Sequence, residues 1–477
     1  MAGCTEKCRN YLSRFRVETV DPKLMPAPHI SPYLRLAIYV YYILTSGCVY
    51  WGWNGIQELL YKAGAFEDVC GDVANAGEKI LHGVAYIDCA DRASGINNLY
   101  TLAYSTHFIC SFVGGLILDR FGPRVCFMVG HFFTLISWLL IFCLPRNPWV
   151  LRVSFVTIGL FCEACYIPLL SVNKYFPNGN STTMCIMGSC RSLSYFLPTI
   201  MGKIYHIEGF DRGMLYVIGL VYLSFSNLVC LISGSFLIPT TIPVPPVELE
   251  ALEREGKNAD TPRKKLTIAD MKKMVKSEMF MEFAMLTCCA CLFIPSIEFI
   301  NKSQGDLLVA SGEGGDATEI FKYFNVCTFI PAPFLGALID RVGPAIVMNF
   351  LHLCGVLFYV CAAFDVYGMK VAACACFVFA GSLCVSTIYC YANKRFPKEY
   401  FGCLVTTTFA FAGTASLTNI PIYNYGLTLA AEVKEQRFRP LALMFVGYTA
   451  MASCISGMLI YISVIRPKKR GAFLGAA

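Results

Sequence analysis

Charge is scarce in this chain. Of its 477 residues, 15% are Asp, Glu, Lys or Arg against 56% hydrophobic, and the mean hydropathy is +0.56. A soluble protein of this size needs far more polar surface, so the composition excludes a water-exposed globule and makes a lipid bilayer the expected solvent. A phosphate-cradling Gly-rich loop ending in Gly-Lys-Ser/Thr is also missing, which excludes an ATP-driven pump. Metal-ligand spacing is missing too. Most of the 25 cysteines lie in apolar runs such as Cys288, Cys289 and Cys291 or Cys374 and Cys376, where a thiol behaves as a small hydrophobe. The six histidines show no nucleophile or ligand pattern. No catalytic residue, metal or cofactor is therefore expected, and no enzyme. The net charge of +7 gathers at the two ends and in a middle segment, a pattern that speaks of membrane topology and gives no reason to expect nucleic acid.

What the chain does have is a repeat. Gly115-Leu-Ile-Leu-Asp-Arg-Phe-Gly-Pro-Arg124 returns about 220 residues later as Gly336-Ala-Leu-Ile-Asp-Arg-Val-Gly-Pro-Ala345. Asn173-Lys-Tyr-Phe-Pro177 returns as Asn393-Lys-Arg-Phe-Pro397 at nearly the same offset. Two different motifs, in one order and at one spacing, imply two homologous halves. In an apolar chain of this length, two such halves imply a transporter of a small-molecule substrate.

The hydropathy pattern predicts an all-α membrane protein of twelve transmembrane helices in two pseudo-symmetric six-helix halves. Residues 1–33, with Lys7, Arg9, Arg14, Arg16 and Lys23, form a cytosolic leader with no apolar run of a cleavable signal. The first half covers 34–238, with spans near 34–61, 95–117, 125–144, 149–173, 183–205 and 214–238. A charged linker at 239–277 carries one or two short surface helices. The second half covers 278–465, with spans near 279–301, 318–339, 345–364, 369–392, 401–429 and 441–465, and a basic tail fills 466–477. The bases place leader, linker, tail and both Asp-Arg turns in the cytosol. A monomer in the plasma membrane is expected. Loop 63–94 is acidic and lies outside; its Cys70 and Cys89 pair as a disulfide or remain two free thiols. The sequon at Asn301 falls outside but close to a span, and that at Asn180 falls inside, where no glycan is added.

The pattern Gly-x-x-x-Asp-Arg-x-Gly-x-Arg between spans two and three, echoed between spans eight and nine, resembles the signature loop of the major facilitator superfamily. Trp51-Gly-Trp53, the cysteine-bearing acidic loop, Thr157-Ile-Gly159, Asn173 to Phe176, Phe396-Pro-Lys-Glu-Tyr-Phe-Gly402 and Pro421-Ile-Tyr423 resemble the sodium-independent large-neutral-amino-acid facilitators. Protozoan relatives of that family carry neutral or cationic amino acids, and one vertebrate member carries purine nucleobases. The resemblance covers the spans and leaves out leader, linker and tail. It implies a signature loop that latches the cytosolic gate, here Asp119, Arg120, Gly122 and Arg124 with Asp340, Arg341 and Gly343. The residues themselves allow two readings. The charges mark the membrane edge, or each Asp accepts from the amides of a neighbouring helix end while the Arg side chains pair across the halves.

Charges inside spans are the next candidates. Glu163 in span four and Arg191 in span five each cost at least about 2.5–3.5 kcal/mol if left alone. Either they pair as a clamp within the first half, or Arg191 holds a substrate carboxylate, or Glu163 holds a substrate amine or guanidinium. Glu298 and Lys302, at i and i+4, read as an ion pair near the outer end of span seven. Tyr42, Ser46, Tyr50, Trp53 and Gln57 predict one polar, aromatic helix face, flanked by Gly52 and Gly55 where backbone opens or is approached closely. In span eleven, Thr406, Thr407, Thr408, Ser416, Thr418 and Asn419 before Pro421 either bond back to their own helix or mark a kinked gate. Tyr166 and Tyr389, with Asn393, complete the candidate lining.

The reading that follows is facilitated diffusion of an amino acid, neutral or cationic, by alternating access. The alternatives are a purine nucleobase or nucleoside carrier, and a transport-dead nutrient sensor. Intact motifs in both halves weigh against the sensor.

Overall fold

The computed structural model describes residues 19–71, 77–176, 180–241, 278–309, 317–396, 401–429 and 437–465. The expectations for most of the leader, for the linker beyond 241 and for the tail fall outside the described residues, as does the side chain of Asn180.

Among the described residues, seven single helices are long and apolar enough to cross a bilayer. They are Ser111–Cys143, Pro148–Tyr175, Arg212–Leu237, Met279–Leu307, Pro344–Ala363, Tyr367–Arg395 and Arg439–Val464. A pair bent by 46°, Thr318–Phe329 and Ala332–Val342, makes an eighth. These supply spans three, four, six, seven, nine, ten, twelve and eight. The other four expected spans are present as helices but are not uninterrupted apolar rods, and they remain consistent with a count of twelve. Span one is Pro32–Ser46 and Trp53–Ala63, broken around a 3₁₀ turn at Val49–Trp51. Span two begins at Ala90 and carries Arg92, Asn97, Asn98, Thr101 and His107. Span five is Asn180–Leu193 and Phe196–Tyr205, and span eleven is Phe401–Ser416 and Asn419–Thr428. Spans one, two, five and eleven bring polar side chains and broken backbone into the bundle interior, where irregular backbone is tolerated.

The repeated motif builds the same turn twice. Gly122, at φ 82° and ψ 172°, interrupts Ser111–Cys143 just before Pro123. Gly343, at φ 100° and ψ 155°, ends Ala332–Val342 just before Pro344. Both lie in a region essentially reserved for glycine, and proline then starts the next helix with its preset φ. A Cβ at Gly122 would meet the carbonyl oxygen of Thr240 at 2.2 Å, so this turn also packs tightly against the end of span six.

The loop between spans one and two departs from the all-α expectation. Strands β1 (Gly77–Leu81) and β2 (Val84–Asp88) form an antiparallel hairpin, with Gly77 opposite Asp88 and Leu81 opposite Val84. Cys70 and Cys89 are joined by a disulfide at its base. Buried Arg92 donates to the carbonyl oxygens of Ala65 at 3.0 Å and Tyr61 at 2.9 Å, and to that of Ile87. One guanidinium thus fastens the hairpin to the tops of spans one and two. The core gathers mainly around Tyr50, Trp53, Tyr100 and Tyr104 on one side, and around Phe293, Phe299, Tyr359, Phe377 and Phe445 on the other.

Candidate substrate site and gates

The break in span one turns Cys48 and Tyr50 inward at mid-height. A Cβ at Gly52 would lie 2.2 Å from the Tyr195 carbonyl oxygen, and one at Gly55 2.2 Å from the Pro198 carbonyl carbon, so glycine lets span one meet the break of span five at backbone distance. Around this crossing the expected charges meet. Arg191 Nη2 is 2.9 Å from Glu163 Oε1, and His107 Nε2 reaches the same oxygen at 2.6 Å. Arg191 Nη2 also lies 3.2 Å from His107 Nε2, and Arg191 Nε donates to Cys48 Sγ at 2.8 Å. The hydroxyl of Tyr50 is 2.6 Å from His107 Nδ1. The Tyr166 ring lies 4.3 Å from the guanidinium carbon of Arg191. Tyr389 of span ten stands within range of the charges of Glu163 and Arg191 from the second half.

Each charge here has the partner that its cost inside a membrane demands. His107 was absent from the sequence reading. The available signal was the one that drew attention to Glu163 and Arg191: an ionisable side chain well inside a span.

Cys48, His107 and Cys162 have their ligand atoms within 4.8 Å of one another, a spacing that three metal ligands can use. The Arg191 guanidinium bonded to Cys48 puts a fixed positive charge against that position, which disfavours a cation there.

The predicted continuous face of span one is split by the break. Tyr42 bonds Ser233 at 2.6 Å and Ser46 bonds His131 at 2.8 Å, toward spans six and three. Trp53 Nε1 donates to Asn97 Oδ1 at 3.0 Å and Gln57 Nε2 to the same atom at 2.9 Å, toward span two. Trp53, 1% exposed, packs against Tyr100 and Phe155. It joins the packing of the first half, apart from the Glu163 cluster.

Among the described residues, hydrogen bonds that join the two halves gather at the end of the bundle that carries the hairpin. Lys322 pairs with Glu58, which also takes His82 of the hairpin at 3.1 Å. Lys203 donates to Tyr323 at 2.8 Å, Ser94 to Asn424 at 2.7 Å, and Asn97 to Tyr423 at 2.6 Å. Glu298 and Lys302, expected as an interfacial ion pair, are instead buried in this seal at 0% and 1% exposure. The second half carries them against span two because Thr101 and Asn98 there satisfy both charges. Asn419 joins them, donating to Glu298 and to the Pro295 carbonyl at 2.8 Å, so it too lies apart from the Glu163 cluster. Of the other polar residues in span eleven, Ser416 and Thr418 bond back to Ala412 at 3.1 Å and Ala415 at 2.7 Å, while Thr408 meets Thr287 at 3.1 Å.

At the end of the bundle away from the hairpin, Asp119, Arg120, Asp340 and Arg341 are exposed. Asp340 Oδ1 is 3.4 Å from Lys394 Nζ, which also donates to the Ile339 carbonyl at 2.9 Å; one repeated motif thus meets the other within the second half. Among the described residues, the contacts of the Arg side chains near these turns stay local. Arg124 Nε donates to the Ile238 carbonyl at 2.8 Å, Arg120 lies over Phe121, and Arg395 pairs with Glu282 at 2.6 Å, each within its own half.

A family model described as Major Facilitator Superfamily matches residues 90–417. The chain belongs to the Major Facilitator Superfamily. It is an integral, multi-pass membrane protein, and its family and relatives are transporters, not enzymes. Among curated proteins, it is 23% identical over 465 residues to "Cationic amino acid transporter 8" of Plasmodium berghei (strain Anka), covering 89% of each chain. It is 23% identical over 483 residues to "Arginine transporter 1" of Toxoplasma gondii, covering 89% of this chain and 88% of that one. It is 25% identical over 413 residues to "Aromatic and large neutral amino acid transporter 5-3" of Toxoplasma gondii, covering 83% and 79%. Among solved structures, a POT family transporter in complex with a thioalcohol-conjugated peptide superposes with a TM-score of 0.62 at 14% identity, over 91% of this chain and 96% of that one. The human organic anion transporter MFSD10 (TETRAN) superposes with a TM-score of 0.60 at 13% identity, over 88% and 100%. These two share the fold of this superfamily member.

Proposed function

We propose that this superfamily member carries amino acids across the plasma membrane by facilitated diffusion, as a monomer with both termini in the cytosol. Its working parts are a first half at 34–238, a second half at 278–465 and the linker between them. The names of the curated relatives supply the cargo class, and the central cluster supports a preference within it. Glu163 and Arg191 cancel each other at 2.9 Å, so the site carries no excess negative charge to attract a second cation. Its aromatic surroundings, Tyr50, Tyr166 and Tyr389, suit an apolar side chain. A neutral, large amino acid is therefore the cargo the geometry supports best. A cationic amino acid is the second reading, favoured by the names of two relatives, and it requires Glu163 to leave Arg191 for the substrate.

The cycle follows from the seals. The outer contacts of Glu58, Lys203, Asn97 and Lys302 hold the outside shut, while exposed Asp119 and Asp340, the latter now held by Lys394, latch when the inside closes. Uptake of labelled leucine and labelled arginine into oocytes tests the reading: saturable leucine uptake is expected, and uptake of neither would overturn it in favour of a nucleobase.

A further inference from the structure

Lys302 and Glu298 do not simply pair. Thr101 stands between them: its hydroxyl accepts from Lys302 Nζ at 2.9 Å and donates to Glu298 Oε1 at 2.6 Å. Asn98 Oδ1 accepts from the same ammonium at 2.8 Å, and the Asn419 carbonyl takes its third proton at 3.1 Å. The other carboxylate oxygen of Glu298 accepts from Asn419 Nδ2. Lys302, Glu298 and Asn419 belong to the second half, whereas Thr101 and Asn98 belong to the first. The first half therefore offers acceptors to an ammonium and a donor to a carboxylate. An α-carboxylate and an α-ammonium offer the same two things in the same order.

A further observation points to a ligand. Asn419 is fully buried, yet its Oδ1 has no hydrogen-bond partner, which leaves a spare acceptor beside Glu298. An open groove of about 490 Å³ runs beside this network, lined by Asp91, Ser94, Asn98, Arg152 and Ile420, among others, and shares Asn98 with it.

We propose that Lys302, Glu298 and Asn419 form an outer site for the zwitterionic head group of the cargo, occupied when span two parts from spans seven and eleven. The α-carboxylate replaces Asn98 and Thr101 on Lys302. The α-ammonium replaces Thr101 on Glu298 and meets Asn419 Oδ1. The first half thus mimics substrate while the outside is shut, and the seal reforms only after the head group has moved inward. This inference rests on the amino-acid reading.

The test is competition against labelled leucine by unlabelled leucine, by isoamylamine, which lacks the carboxylate, and by N-acetyl-leucine, which lacks the ammonium. It is run in oocytes expressing wild type, Lys302→Gln, Lys302→Arg and Glu298→Gln, with uptake normalised to surface protein. In wild type, only leucine competes. In Lys302→Gln the KM for leucine rises about tenfold or more, as loss of a charge-assisted contact requires, and the preference for leucine over isoamylamine collapses. Lys302→Arg keeps that preference, and Glu298→Gln weakens leucine against N-acetyl-leucine. If Lys302→Gln lowers uptake while the leucine-to-isoamylamine ratio stays at its wild-type value, Lys302 only fastens the halves and the outer site is refuted. If wild type moves neither leucine nor arginine, the amino-acid reading itself fails and takes the outer site with it.

Discussion

Arg191 and Glu163 meet at 2.9 Å, with His107 on the same carboxylate oxygen at 2.6 Å, so three spans of the first half share one buried charge cluster. The guanidinium has a side-chain exposure of 15% against 8% for the carboxylate, which makes Arg191 the more accessible of the two to a substrate carboxylate. The clamp and the binding site of the sequence reading are thereby compatible: the pair holds the first half together and still presents one charged edge.

Removing one partner leaves the other buried and uncompensated, which costs about 3–5 kcal/mol. Arg191→Gln and Glu163→Gln are each expected to lower the unfolding temperature of purified protein in detergent. The double variant is expected to recover most of that loss while remaining unable to transport. Differential scanning fluorimetry, paired with uptake, checks both parts; a double variant as unstable as the worse single one would show that the pair is not the coupling.

The two signature glycines make a graded prediction. Gly122→Ala and Gly343→Ala both place a Cβ in a backbone region that costs about 1–3 kcal/mol. Gly122 would in addition push a methyl to within 2.2 Å of the Thr240 oxygen, whereas nothing lies within 4 Å at Gly343. Surface expression is expected to fall more for Gly122→Ala than for Gly343→Ala, and equal losses would mean that the Thr240 contact is unimportant.

Asp119 and Asp340 are exposed, so neutralising them should leave folding nearly untouched. Asp119→Asn with Asp340→Asn is expected to reduce uptake severalfold at normal surface level. Unchanged uptake would mean that these turns merely mark the membrane edge.

The duplicated motifs were legible because glycine and proline act locally: Gly122-Pro123 and Gly343-Pro344 dictate the same turn whatever surrounds them. The long apolar spans were legible for a similar reason, since twenty apolar residues have few other destinations. The broken spans were less so. The 3₁₀ turn at Val49–Trp51 re-aims Tyr50 away from Ser46, and helical spacing alone cannot foresee it. Lys302 and Glu298 were identified as a pair, but their third member, Thr101, lies about 200 residues away in the chain, and no local pattern points to such a partner. The β-hairpin is not legible in the sequence because its ten residues alternate only weakly between apolar and polar.

The disulfide between Cys70 and Cys89 closes a loop with a sequence separation of 19 residues, and loops of this size gain about 3 kcal/mol from closure. Cys70→Ser with Cys89→Ser is expected to lower thermal stability and to expose the hairpin to protease added outside cells. In wild type, a membrane-impermeant thiol reagent should label these cysteines only after external reduction; labelling without reduction would contradict the pairing, and no labelling after it would contradict the outside location.

The most direct test of the central claim is uptake of labelled leucine and labelled arginine, side by side, in oocytes expressing wild type and Glu163→Gln at matched surface levels. A neutral carrier with a self-cancelling central pair predicts saturable leucine uptake and little arginine uptake in wild type, and no gain of arginine uptake in the variant. Strong arginine uptake in wild type that disappears in Glu163→Gln would contradict the account, because it would make Glu163 the seat of a cationic substrate.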